Sequence, residues 1–296
     1  MNPYLPCIPC VINQIARLQD KLDWPPDQSR SIMKAVLKKA AETEWQNMTA
    51  PEFSALLYRE VTALTGQADL FQEIKRQQNA LVRGRLNHFR QAIGSSGDSL
   101  RTAGLYALLG NIIDLGGTRL FDHNEIFDDI GNLTPHADDY PSFCERLSNS
   151  RNLLYIGDNA GEAVLDGLFI TELKKARPLL DVTFAARGEP AINDVTVADA
   201  RDAGLSDVSR VIASGSSCAG TVVPHCSREF RELFDAADIV ISKGQGNYET
   251  LEREEREIFF IFKVKCDVVS RHLGRPPGTL IFSFGRSLLG ASHDSP

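Results

Sequence analysis

Six short apolar runs in the second half of the chain limit what it can fold into. They are NLLYIG from Asn152, DVTFAA from Asp181, RVIASG from Arg210, DIVISKG from Asp238, IFFIFKV from Ile258 and TLIFSFG from Thr279. Each of the first five is followed by a loop and then by helix-like sequence. That repeated order argues for an α/β fold with a mainly parallel sheet. The runs are continuously apolar, as strands buried on both faces require. Before about residue 120 the rhythm is helical instead. QSRSIMKAVLKKAAETEW spaces Ile32, Val36 and Leu37 for a helix, and PEFSALLYREVTALTG opens with Pro51 and stops at Gly66. SLRTAGLYALLGNIIDLG is apolar enough to be buried. We therefore expect a helical domain over 1–120 and an α/β domain over 121–296.

Bulk properties exclude several classes of function. A net charge of −7 disfavours a nucleic-acid partner held by a broad basic surface. The apolar runs are too short to cross a bilayer. The start, MNPYLPCIPCVINQ, lacks the basic leader of a signal peptide. Six cysteines spread along 296 residues point to a reducing cytoplasmic setting.

Polar residues gather where the strands should end, and in open α/β sheets ligands bind there. GDNAGE after the first run supplies Asp158, Asn159 and Glu162. INDVTVADA supplies Asn193 and Asp194. The loop after RVIAS supplies Ser214, Gly215 and Ser216 with small residues and backbone N–H groups. KGQG supplies Lys243, Gly244, Gln245 and Gly246. Carboxylate and amide oxygens suit a hard cation; N–H groups and a lysine suit an anion. A metal beside a phosphate accounts for both. Any one of these acids has a plainer reading as a helix N-cap. Adjacent Asp158 and Asn159 weaken it, because one cap needs one acceptor. KGQG is no P-loop, since its lysine precedes the glycines, and GDNAGE does not match G-x-G-x-x-G.

GDNAGE, INDVTVADA and SKGQGNYETL, in this order, resemble the metal-dependent damage-control phosphatases, a family long known as a domain of unknown function. CIPCVINQ and ALLGNIIDLG resemble its prokaryotic branch with an N-terminal cysteine pair. The resemblance implies a Rossmann-like three-layer α/β/α domain, a helical N-terminal region, and hydrolysis of phosphate monoesters, sugar phosphates among them. It implies a divalent cation (Mn, Co, Ni or Mg) on Asp158, Asn159 and Asp194, with Lys243 as the family's lysine. On this reading Asp158 and Lys243 are catalytic, the cation neutralises charge on a phosphate oxygen, and Lys243 with the GQG amides cradles the rest. Water on the metal is the first choice of nucleophile; attack by an aspartate stays open.

Asn111 and Asp114 share a helix face, either as substrate-binding groups or as caps of a neighbouring helix. Glu162 lies in a first helical turn, where the dipole favours an acid, and is a candidate support for substrate. Cys7 and Cys10 form C-x-x-C without a second pair, so packing is preferred to zinc. His88, His123, His136 and His225 show no ligand spacing. Two competing functions are an S-adenosylmethionine-dependent methyltransferase, which lacks its glycine-rich loop here, and a non-catalytic protein that binds phosphorylated metabolites. Oligomeric state is not written in these motifs.

Overall fold

All six apolar runs become strands. The computed structural model describes Met1, residues 5–112 and residues 133–289. The runs form β2 (Asn152–Ile156), β3 (Asp181–Ala186), β4 (Arg210–Ala213), β5 (Ile239–Lys243), β6 (Phe259–Lys263) and β7 (Leu280–Phe284). A two-residue strand, β1 (Ala137–Asp138), joins them at one edge. The seven-stranded sheet runs β1-β7-β6-β5-β2-β3-β4. Every pairing is parallel except β6 with β7. From β2 the chain builds outward through β3 and β4, then returns to lay β5 on the other side of β2. The crevice between the carboxyl ends of β2 and β5 is therefore a topological switch point.

Alternation along the strands feeds two cores. Leu153 and Tyr155 of β2 join one cluster, and Leu154 and Ile156 join the other. The first is covered by α8 (Tyr140–Asn149) and α9 (Glu162–Ala176), through Phe143 and Phe169. The second is covered by α11 (Arg228–Ala236), α12 (Gln245–Leu251) and α13 (Asp267–Leu273), through Phe230, Tyr248 and Val269. The remaining short helices are α10 (Val197–Asp202) and α14 (Gly285–Leu289).

Four N-terminal helices make a third cluster: α1 (Cys7–Ala16), α2 (Leu18–Leu22), α3 (Pro26–Glu42) and α4 (Ala50–Thr65). The signals read for α4 hold. Thr49 and Glu52 form a reciprocal capping box, Pro51 sits in the first turn, and Gly66 ends the helix at φ +68°. In α3, Ile32 and Val36 are buried but Leu37 is 49% exposed. A spacing of four repeats one helix face, whereas the next residue is turned away from it.

Helices α5 (Gln72–Arg83), α6 (Leu86–Ser95) and α7 (Ser99–Ile112) give Val82, Phe89 and Tyr106 to the first sheet core. Helix α7 lies flush on its neighbours because a Cβ on Gly104 would sit 2.7 Å from the Phe282 ring, and one on Gly110 would sit 3.0 Å from Glu162 Cγ. This approach brings Asn111 over the switch point. The boundary expected near residue 120, together with Asp114 and His123, lies outside the described residues. Among the described residues no helix is long and apolar enough to cross a membrane.

Candidate metal and phosphate site

A short backbone ladder brings the two aspartates together. After β2 the chain passes through Gly157, whose N–H donates to Ala185 O (3.0 Å). The segment after β3 folds back beside it. Val195 N donates to Asp158 O (2.7 Å) and Ala160 N to Asn193 O (3.0 Å). Asn159 and Asp194 thus face each other in an antiparallel bridge. The third wall is the turn after β5. Gly244 has φ +82°, and a Cβ there would lie 2.1 Å from the Asp158 carboxylate. Only bare backbone fits against that acid.

Asp158 and Asp194 are both buried. Burial raises the pKa of Asp158 well above the ordinary carboxylate value, and the nearby charges of Asp194 and Glu162 add to it. Burial also raises Asp194, although Arg187 opposes the shift. An exposed cation, Lys265, pulls both acids the other way. Two desolvated carboxylates side by side form a donor set that a divalent cation relieves. Asn159 turns its NH₂ to Asp158 Oδ2 (2.7 Å) and Glu162 Oε2 (3.1 Å), so its Oδ1 is the ligand-type atom on offer. The residues present therefore fit a hard cation. Among the described residues no group of three or more His, Cys, Asp or Glu side chains is arranged to hold a metal; the set here is two carboxylates and an amide.

Asn111 joins this group. Its Nδ2 donates to Asp158 Oδ2 (3.0 Å) and Glu162 Oε2 (3.2 Å), and its Oδ1 accepts from Lys263 N (3.1 Å). It braces the acids from α7 and ties them to the end of β6.

Lys243 requires a correction. We expected its ammonium to open into the crevice, but it is the last residue of β5 and 0% exposed. All three donors are taken, by Glu162 Oε1 (2.6 Å), Asp166 Oδ1 (2.6 Å) and Ala107 O (2.9 Å). Burial alone would lower its pKa, yet Asp166 and Glu162 together raise it. Asp166 also accepts from Tyr155 Oη (2.7 Å), and burial lifts its pKa to about 6. Lys243 thus stands behind the crevice and orients Glu162.

The loop Ser214–Gly215–Ser216 is turned inward in the same way. Ser214 N donates to Ala186 O, Ser216 N to Ser214 Oγ, and Cys218 N to Ser216 Oγ. Those donors hold the loop's own shape. Gly188 packs against Gly215, where a Cβ would have only 2.6 Å. Gln245 gives Nε2 to Glu249 and takes Lys265 N on Oε1 (2.8 Å), which pins the segment carrying Lys265. Gly246 lies against Ala219 O.

The reading of the motifs missed Arg187 and Asn247. Arg187 is 1% exposed and donates to Asp194 Oδ2 (2.7 Å), Thr221 Oγ1 (3.1 Å) and Asn247 Oδ1 (3.1 Å). Asn247 gives Nδ2 to Gly157 O (3.0 Å) and Lys243 O (2.7 Å), joining the ends of β2 and β5. An arginine directly after an apolar strand was the available signal for the first; for the second it was the asparagine inside KGQGN.

Two cysteines border this centre: Cys218 is buried near Arg187 and Asp194, and Cys266 Sγ accepts from Gln245 Nε2 (3.5 Å). None of the six is in a disulfide, and Cys7 packs half-buried against the second sheet core. His136 Nδ1 accepts from Leu280 N, a fold contact.

A family model described as the damage-control phosphatase ARMT1-like domain matches residues 4–281. The chain is 31% identical over 277 residues to a damage-control phosphatase of Pyrococcus horikoshii, covering 93% of this chain and 95% of that protein. It is 26% identical over 281 residues to a damage-control phosphatase of Archaeoglobus fulgidus, covering 93% and 96%. The crystal structure of a DUF89 family protein from Pyrococcus horikoshii matches with TM-score 0.88 at 30% identity, over 96% of this chain and 99% of that one.

Proposed function

The chain belongs to the damage-control phosphatase ARMT1-like family, and from that premise we propose that it hydrolyses phosphate monoesters of small metabolites, sugar phosphates among them, with a divalent metal. The observation that carries this is the pair Asp158 and Asp194, both desolvated and carried on two segments joined by the Asn159–Asp194 bridge, with Asp158 against the bare backbone of Gly244. Asp158, Asn159 and Asp194 would hold the cation, Mn, Co, Ni or Mg. When bound, it would supply Lewis-acid stabilisation of charge on a phosphate oxygen.

The chain's own residues supply positioning. Arg187 fixes the free rotation of Asp194 through its 2.7 Å bond. Asn111 and Glu162 fix Asp158 and Asn159, and Lys243 fixes Glu162. Lys265, exposed on the segment that Gln245 pins, would meet the substrate phosphate. Electrostatic stabilisation by such fixed groups carries most of phosphoryl transfer. The net charge of −7 suits a small metabolite better than nucleic acid as partner, and six cysteines without a disulfide suit the cytoplasm.

The test is hydrolysis of p-nitrophenyl phosphate and of a panel of sugar phosphates, with added Mn²⁺ or with EDTA. Turnover that EDTA abolishes and metal restores is the expected result. Turnover indifferent to EDTA would remove the metal from the mechanism, and tight ester binding without turnover would identify a sensor.

A further inference from the structure

Helix α4 runs beside the loops that carry the acids. Its Pro51 lies over Gly246, with Cγ 3.9 Å from where a Cβ would stand. One turn on, a cavity of about 310 Å³ opens between α4 and the segments 189–192 and 217–219. It adjoins a second of about 360 Å³, and the two share Ala55, Arg59, Glu189 and Ser217. One wall, Ala191 and Ile192, belongs to the segment that ends in Asp194, and Ala191 O accepts from Asp194 N (2.9 Å). The groove is thus continuous with the loop that positions the proposed metal ligand.

Its lining is mainly apolar and carries a few polar groups, among them Ser54, Arg59 and Ser217. Ser54 is 5% exposed, and its buried Oγ has no hydrogen-bond partner among the described residues. A buried hydroxyl without a partner is unfavourable unless a ligand satisfies it. Arg59 is exposed, and its Nη2 donates to Ser217 Oγ (2.7 Å). Among the described residues Arg59 makes no ion pair, and neither does Glu189 across the groove. Tyr58 and Thr62 complete a polar face over small apolar residues.

We propose that this groove is the subsite for the part of the substrate beyond its phosphate, and that Arg59 is a specificity-determining residue reading an oxygen of a hydroxyl-bearing carbon chain. The inference rests on the phosphatase reading. A polyol presents hydroxyl oxygens to Arg59; the p-nitrophenyl ester has no hydroxyl, only weakly accepting nitro oxygens, and a site made to bond a substrate hydroxyl discriminates against an analogue lacking it.

The experiment compares ribose phosphate with p-nitrophenyl phosphate. In Arg59→Ala the ratio of kcat/KM for ribose phosphate over p-nitrophenyl phosphate should fall on the order of tenfold, about what losing one charged hydrogen bond does. Arg59→Lys should recover part of it. Calorimetry gives a second, activity-free readout with ribose phosphate and inorganic phosphate as probes. The wild type should bind the ester more tightly, and Arg59→Ala should lose that excess. A ratio and an excess both unchanged within about twofold in Arg59→Ala, well below that loss, would overturn the subsite. So would equal weakening of both probes, which would make Arg59 a phosphate ligand. If the wild type hydrolyses neither ester, the phosphatase reading fails and calorimetry alone decides the groove. Arg59 is exposed, so the variants should melt as the wild type does.

Discussion

The two aspartates differ in what surrounds them, and their variants should differ accordingly. Asp194 is bonded to a fully buried arginine. Removing it altogether would leave Arg187 only its longer ion-pair approach to Asp158 (4.0 Å), and breaking a buried pair typically costs about 3–5 kcal/mol of stability. Asp194→Asn and Asp158→Asn are the cleaner tests, since each keeps an oxygen acceptor and removes one charge. Both should lose metal in elemental analysis while their circular dichroism stays native; full metal content in both would sink the ligand assignment. Lys243 makes the opposite case. Lys243→Met leaves Glu162 and Asp166 facing each other without a cation, so it should destabilise the fold by about 3–5 kcal/mol in urea unfolding. An unfolding midpoint equal to wild type would return Lys243 to a freely exposed role. The sequence made Lys243 conspicuous by placing it after a strand and before two glycines. It did not make its partners conspicuous. Glu162 and Asp166 stand four apart, one helical turn, but nothing local says that this helix face meets β5. Arg187 was harder still, because a lone arginine after a strand is ordinary until the fold brings Asp194, Thr221 and Asn247 to it.

At the scale of elements, periodicity revealed most strands and helices but not their order. The six apolar runs and α4 were legible because burial period and capping are local signals. The two-residue strand β1 is too short for any period to show. The antiparallel pairing of β6 and β7 has no local signature either, since both are mainly apolar and buried along nearly their whole length. The switch point between β2 and β5 is likewise a property of sheet order. It sets Gly244 against Asp158, and this contact allows a sharp test. Gly244→Ala adds a Cβ 2.1 Å from the carboxylate at φ +82°, a conformation disfavoured for alanine. The carboxylate must move off its position. Metal affinity should fall by at least on the order of tenfold, the range seen when groups that orient ligands are lost. Far-UV circular dichroism should be unchanged. Titration with Mn²⁺ gives the answer, and a wild-type affinity would show that the turn does not shape the site.

For the whole molecule, the acids link metal, protons and stability. Burial first, and then nearby acid charge, raises the pKa of Asp158 (Asp194 and Glu162) and of Asp194 (Glu162) in the folded, metal-free protein. A carboxylate raised above its unfolded value binds more protons folded than unfolded. Its contribution to stability is therefore present at low pH and lost as pH rises through the folded value. A cation on the same oxygens competes with those protons and removes that loss. The metal-bound protein should accordingly melt above the EDTA-treated one, with the gap widening as pH rises and closing as pH falls. With metal at a hundredfold over its Kd the gap corresponds to about 2.7 kcal/mol, a shift of several degrees. Asp166, with a pKa of about 6, adds its own loss of stability as pH rises through that value. It bonds Lys243 and Tyr155 rather than the proposed ligands, so it acts on both forms and cancels from the difference. Melting curves across pH with Mn²⁺ and with EDTA measure that difference directly. Calorimetry in buffers of unlike ionisation enthalpy should also register proton release on binding. A gap that stays flat with pH, with no protons released, would mean that the cation does not sit on Asp158 and Asp194.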